Sequence, residues 1–306
     1  MPSHPVTGEL ALMTEPMERD AGERVGGRTA SRTARGVALL RAAHQLLDAS
    51  PRILDDPVIL RLIGDSGVRE IEAATTRYQD PGARALRAHV VLRSRFAEDR
   101  LSAAVTRGVS QYVVLGAGLD TFAYRQPDWA RPLHIIEVDQ SATQAEKRDL
   151  LAAAGVAIPD NVTLAPVDFE RESLHDALER QGMDGDERVF FSWLGVTMYL
   201  RESAVDDVLR TVATCAPGTE IVFTFAQPPD RRETADGRPT LAELAARAGE
   251  PWVSYFEPQA LERKLRSFGF SRVEFLTPSD AAARYFSSRA DALPPPRRTT
   301  IVSATH

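Results

Sequence analysis

Apolar positions change their spacing partway along the chain. From Ala30 they recur at helical intervals: Leu39, Ala42, Ala43, Leu46 and Leu47 share one face, and Pro51 ends that helix. Leu86, Val90, Ala97, Leu101 and Ala104 line up again over a longer helix, about 83–106. Beyond it the apolar residues gather into short unbroken runs: 112–115, 133–138, 162–167, 189–191 and 221–225. Helical stretches at 141–154, 173–181 and 202–215 separate several of them. Strands that are apolar throughout and alternate with helices predict a mainly parallel sheet buried on both faces. The stretch 226–257 carries Pro228, Pro229 and a charged run, and reads as an insertion with one helix at 241–248. Leu261, Leu265 and Phe268 mark another helix, Val273 and Phe275 a strand, and 299–302 the last strand. Residues 1–28 show no periodicity and are expected to form a flexible leader. The expected organisation is therefore a leader (1–28), a helical cap (29–107) and an α/β domain (108–306) with a lid insertion at 226–257.

Composition narrows the function classes. The 306 residues suffice for one large α/β domain with an added cap. Lys and Arg total 37 against 43 Asp and Glu, a net charge of −6, which argues against a nucleic-acid partner. A single cysteine, Cys215, excludes an intrachain disulfide or a thiolate metal cluster and reads as a small buried hydrophobe. No apolar run reaches the roughly 20 residues of a membrane helix, and the N-terminus lacks a signal pattern. A cytoplasmic protein without a membrane partner is expected.

Chemistry concentrates where the strands end. Gly116-Ala117-Gly118 follows the first run, and two glycines let backbone approach a ligand closely. A dinucleotide loop wants a third glycine, but Thr121 occupies that position. Asp120 beside the turn suits a ligand without phosphate that carries sulfonium and ammonium charge. Asp139 ends the second run, 23 residues past Gly116, near the spacing at which a carboxylate meets a ribose diol. Its other reading is a cap for the next helix. Asp168-Phe169 follows the third run, where the carboxylate can accept from an exocyclic amine and Phe169 can meet adenine. Arg93 lies on the stripe of Val90 and Ala97 and needs an anion, with Arg95 a competing candidate. A ligand carboxylate would serve. After the fourth run, Trp193, Thr197 and Tyr199 stand as acceptor-side candidates. Trp252, Tyr255 and Phe256 form an aromatic cluster in the insertion, expected to face an acceptor.

With these motifs the chain resembles the leucine carboxyl methyltransferase family, in its bacterial and polyketide O-methyltransferase branch. The likeness spans about 31–291. It is carried by Ser31-Arg32-Thr33-Ala34, Asp55-Asp56-Pro57, residues 115–121 with Tyr124-Arg125, Glu137-Val138-Asp139 and Asp168-Phe169. Residues 193–200, Tyr255-Phe256-Glu257-Pro258, Gly269-Phe270, Tyr285-Phe286, Arg289 and Asp291 continue it. The resemblance implies a class I methyltransferase fold, a Rossmann-like, mainly parallel seven-stranded sheet with an N-terminal helical cap. It implies S-adenosylmethionine as cofactor, held by Arg93, Gly116, Asp139, Asp168 and Phe169. Leu194 stands where many members carry Glu. The branch often acts on secondary metabolites.

The expected activity is methyl transfer to a carboxylate or phenol oxygen of a small molecule or peptide. No motif supplies a base, since His134 and His175 sit in structural contexts, so an already ionised carboxylate is the favoured acceptor. No acidic cluster calls for a metal. A nicotinamide-dependent oxidoreductase and a binder that holds the cofactor without turnover are the rival readings.

Overall fold

The computed structural model describes residues 32–168, 172–229, 241–247, 249–291 and 293–306. The expected leader, 1–28, lies outside them. Four helices precede the sheet: α1 (Arg32–Leu47), α2 (Pro57–Ala73), the single turn α3 (Thr75–Tyr78) and α4 (Pro81–Thr106). Each long helix after α1 starts on an Asp-Pro step. Asp56 accepts from Ile59 N at the head of α2, and Asp80 from Gly82 N at the head of α4. These side chains satisfy amides left open by a first turn, and proline there costs no donor.

The sheet then alternates with helices: β1 (Gln111–Leu115), β2 (His134–Asp139), α5 (Ser141–Ala153), β3 (Val162–Pro166), α6 (Leu174–Arg180) and β4 (Val189–Trp193). It continues through α7 (Glu202–Ala213), β5 (Glu220–Thr224), α8 (Leu241–Arg247), α9 (Pro258–Ser267), β6 (Arg272–Phe275), α10 (Pro278–Ala281) and β7 (Ile301–Thr305). The strand order is β3-β2-β1-β4-β5-β7-β6, and only β7 runs antiparallel to its neighbours. The order reverses between β1 and β4, which pair in register from Gln111↔Val189 to Leu115↔Trp193. Such a reversal opens a crevice at the strands' C-terminal ends.

Side-chain alternation sends the strands' residues to two cores. Leu115, Val138, Phe191, Trp193 and Phe223 pack with α6, α7 and α9. Tyr112, Val114, Ile135, Phe190 and Val222 pack on the other face with Leu92, Phe96 and Leu101 of α4. Helix α4 thus shares the sheet's core directly, whereas α1 and α2 build a separate cluster with Val90.

One buried ion pair fixes this helical layer. Arg87 donates Nε and Nη2 to the two Asp48 oxygens at 2.8 and 2.7 Å, and His44 Nδ1 lies 2.7 Å from Asp48. Burial alone would raise the Asp48 carboxyl, but Arg87 and His44 overcome it and hold the group from 3.8 down to about 2. A depressed carboxyl stabilises the fold above its ordinary range and loses that contribution as pH falls through the folded value. Here that is about 2 kcal/mol, lost between about pH 4 and pH 2. Urea unfolding from pH 6 to 2.5 checks it: Asp48→Asn should give a flatter pH dependence than the native chain in that window.

Candidate functional site

The loop after β1 is built to leave backbone exposed. Gly116 and Gly118 have φ of 66° and 46°, which side chains rarely adopt. A Cβ on Gly116 would also lie 2.4 Å from Val196 Cγ2, so glycine is needed for closeness as well as for the turn. Asp139, at the end of the neighbouring strand, holds this loop. Its Oδ2 accepts from Gly118 N at 2.6 Å and its Oδ1 from Gln140 N at 2.7 Å. Gln140, the N-cap of α5, makes no side-chain cap bond, and Asp139 serves both the glycine loop and the head of α5, where it accepts from Gln140 N and the Thr143 hydroxyl. Burial raises the Asp139 carboxyl, opposed first by the Gly118 and Gln140 amides. With the Thr143 hydroxyl as a third donor, the carboxylate keeps acceptor capacity for a further donor. Glu137, two residues earlier, is buried with Lys147 Nζ at 2.6 Å and Tyr124 Oη at 2.8 Å, and belongs to the support beneath.

Arg93 reaches the same crevice from α4. Its guanidinium lies over Gly195 so closely that a Cβ there would be 2.6 Å from Nη1, and Gly195 has φ of 79°. The buried arginines elsewhere have carboxylates: Arg41 on Asp56, Arg87 on Asp48, Arg125 on Glu98. Arg93 makes no ion pair or hydrogen bond with a described residue. Burial lowers it from 12.5 to about 10, opposed by Tyr199 and Asp120 and reinforced by Arg41. The competing Arg95 is exposed and pairs with Asp99 at 2.8 Å.

Tyr199 faces Arg93, Trp252 and Thr33, and burial raises its hydroxyl above the ordinary value. Val253 N donates to Met198 O at 2.7 Å, which ties the segment carrying Trp252 to the turn after β4. Trp252 stacks obliquely on the exposed Tyr255, ring centres 6.3 Å apart. The expected helix 241–248 appears as α8, while 230–240 and 248 lie outside the described residues. So does Phe169. Asp168 follows β3, with its amide 3.4 Å from Glu172 Oε1.

Three expected site residues are corrected by packing. Trp193 is fully buried on the α7–α9 face against Phe223, because strand parity turns it away from the crevice. Thr197 is fully buried and donates its hydroxyl to Thr224 O at 2.7 Å. Phe256 joins the same core as Trp193, under Lys264, and not the pocket. His134 starts β2 beside Thr163, and His175 lines a cleft with Gly182 and Asp184 near the start of β4. Both lie at the opposite edge of the sheet from the glycine loop.

Sequence reasoning missed two features. Gly195 had no signal beyond being a glycine after a strand, because its role depends on Arg93. A buried network was also unread as a unit. Arg41 Nη1 donates to Leu119 O at 3.0 Å and Nη2 to Thr121 Oγ1 at 2.6 Å, and Thr121 Oγ1 donates to Asp56 Oδ1 at 2.7 Å. Arg125 bridges Thr121, Asp56 and Glu98. It joins α1, the head of α2 and α4 to the loop that follows Gly118.

The sequence profile described as leucine carboxyl methyltransferase matches residues 34–213. A Bacillus subtilis (strain 168) relative is 36% identical over 206 residues, covering 66% of this chain and 67% of its own. Its provisional name is S-adenosyl-L-methionine-dependent methyltransferase YktD. A Mycobacterium avium (strain 104) relative with the same provisional designation is 32% identical over 210 residues, 66% of this chain and 68% of its own. A solved duf574 family protein from Streptomyces avermitilis superposes with a TM-score of 0.52 at 18% identity, over 80% of this chain and 94% of that one, and shares the fold alone.

Proposed function

The chain belongs to the leucine carboxyl methyltransferase family, and from that premise we propose that it transfers the methyl group of S-adenosylmethionine to a carboxylate or hydroxyl oxygen of a small molecule or peptide, as in secondary metabolism. Dependence on S-adenosylmethionine comes with the family. The acceptor oxygen is our reading.

One observation carries it: the crevice at the strand reversal joins a bare glycine loop, a carboxylate and an arginine without a protein anion. Gly116 and Gly118 leave room for a ligand against backbone. Asp139 offers its remaining acceptor capacity to the ribose hydroxyls, and Arg93 offers its guanidinium to the amino-acid carboxylate. When bound, the sulfonium supplies an activated methyl carbon, so the protein's task is alignment and exclusion of water. Tyr199 from the turn after β4 and Trp252 from the segment we assign as lid close the crevice, and α1 covers Gly118 through Ala34. We assign 29–107 as cap and 226–257 as lid, acting on a cytoplasmic acceptor that is neither nucleic acid nor membrane; among the described residues no helix could cross a bilayer. Leu194 packs partly buried against the α4-side core in place of the family's Glu, which favours a second reading: binding without turnover.

Calorimetry with S-adenosylhomocysteine and with NAD separates this family chemistry from a nicotinamide enzyme, and tight NAD binding would overturn it. Labelled methyl transfer to any oxygen acceptor eliminates the second reading. Arg93→Met should weaken binding of the product by about 1.5–3 kcal/mol, the worth of a hydrogen bond to a charged group. Ligand should also slow hydrogen exchange in α4 as well as around Gly116. Protection confined to the glycine loop, with normal affinity in Arg93→Met, would make Arg93 a structural residue.

A further inference from the structure

We propose that Asp120 binds the α-ammonium group of the methyl donor, so that Asp120 and Arg93 together recognise a zwitterionic amino-acid tail. The inference rests on the S-adenosylmethionine reading and gives the cationic half of that ligand a binding residue.

Both side chains belong to the crevice between β1 and β4. Val196 meets Gly116 there, and Arg93 lies over Gly195, one residue before Val196. Asp120 comes two residues after Gly118 in the loop that follows β1. Its amide donates to Ala117 O at 2.7 Å, and its Oδ1 accepts from Phe122 N at 2.8 Å. This turn pins the carboxylate, as the bare backbone of Gly195 seats the guanidinium. The Asp120 charge acts on Arg93 and Glu98 of α4 and on Tyr112 in the core that α4 covers. The carboxylate therefore stands on the side of the sheet from which Arg93 arrives.

The two charges attract without closing on each other. Asp120 favours the Arg93 cation, yet neither makes an ion pair with the other or with another described residue. The cations and anions around them are already matched. Arg125 is held by Glu98 and Asp56, and Lys147 by Glu137. Glu98 and Glu137 both sense Asp120 as a like charge, so this corner favours a cationic guest. The opposite wall supplies no anion: residues 194–200 contain no Asp or Glu, and Leu194 packs into the α4-side core. Asp139 is engaged by the Gly118 and Gln140 amides and faces the ribose. Glu250, which acts on Tyr199 from the lid segment, is the rival anion.

An α-amino acid carries its carboxylate and its ammonium on one carbon. A fixed cation and a fixed anion that face one crevice without pairing are complementary to it, because each meets its opposite in a charge-assisted bond. A ligand with one of the two charges would leave the other protein charge desolvated and unmatched, which is how such a site discriminates.

The test is calorimetry on the full chain with three ligands: S-adenosylhomocysteine, its desamino analogue and its decarboxylated analogue. None carries a sulfonium, so the amino-acid charges are read alone. Asp120→Asn keeps an acceptor for the Phe122 amide and removes the charge. It should bind S-adenosylhomocysteine and the decarboxylated analogue about ten- to a hundredfold more weakly than the native chain does. Its affinity for the desamino analogue should stay within about twofold of native, because that ligand has no ammonium to lose. Arg93→Met should show the converse, weakening S-adenosylhomocysteine and the desamino analogue but not the decarboxylated one. Weak ligands are read by their displacement of S-adenosylhomocysteine. Equal loss of all three ligands in Asp120→Asn would make the residue a brace for the loop and overturn the proposal. Native affinity for S-adenosylhomocysteine in that variant would overturn it too, as would an ammonium-specific loss found in Glu250→Gln instead. Failure of the native chain to bind S-adenosylhomocysteine would instead sink the methyl-transfer reading itself.

Discussion

Asp139→Ala should bind S-adenosylhomocysteine about thirty- to a thousandfold more weakly, a loss on the order of 2–4 kcal/mol. Two effects add. The carboxylate is placed to accept from a ribose diol, and it also holds Gly118 N at 2.6 Å. Alanine removes the first and releases the second, so the glycine loop loses its set conformation. Stability should change less than affinity, because burial already penalises the Asp139 charge, and alanine removes that penalty together with the two amide bonds. Asp139→Asn separates the effects. Its amide oxygen can still accept from Gly118 while the charge is gone, so it should recover part of the loss. Calorimetry on the three proteins, with urea midpoints as control, measures this. Native affinity in Asp139→Ala would remove the residue from the site.

Positions fixed by local pattern were readable in the sequence, and those fixed by tertiary contact were not. The apolar runs read as β1 to β5 because a strand covered on both faces shows no polar alternation. Arg93 was legible because a charge on an apolar helical stripe has to be explained by a partner. Helix α2 was not read. Gly64, at φ of 63°, breaks its helical pattern partway, and its start is marked only by Asp56 and Pro57. Trp193, Thr197 and Phe256 were misread because proximity to a strand end does not say which face a side chain takes. On β4 the parity puts Trp193 with Phe191 and Phe223, away from α4.

Asp56→Ala should destabilise the fold by about 3–5 kcal/mol and weaken cofactor binding as well, although Asp56 touches no ligand. Its carboxylate is fully buried and meets three groups from two parts of the chain. Arg41 comes from α1, while Thr121 and Arg125 come from the loop after Gly118. Burial alone would raise this carboxyl, yet Arg41 and Arg125 together with Thr121 and the Ile59 amide hold it below the usual range. Removing it leaves two guanidinium groups near each other, with Glu98 as the remaining anion in the network. The helix cap at Ile59 is lost in the same change. Arg41 also binds Leu119 O, so its displacement reaches the glycine loop one residue from Gly118. Asp56→Asn keeps a cap acceptor but not the charge, and should lie closer to Ala than to the native chain if the ion pairs dominate. The lowered carboxyl also sets a sign with pH. Its stabilisation is present above the ordinary carboxylate range and is lost as pH falls through the folded value, so the cost of Asp56→Ala should shrink in acid. Urea unfolding at pH 7 and pH 3, paired with calorimetry at pH 7, measures both effects. A cost below about 1 kcal/mol at pH 7 would show that the network is not what fastens the N-terminal helices to the loop.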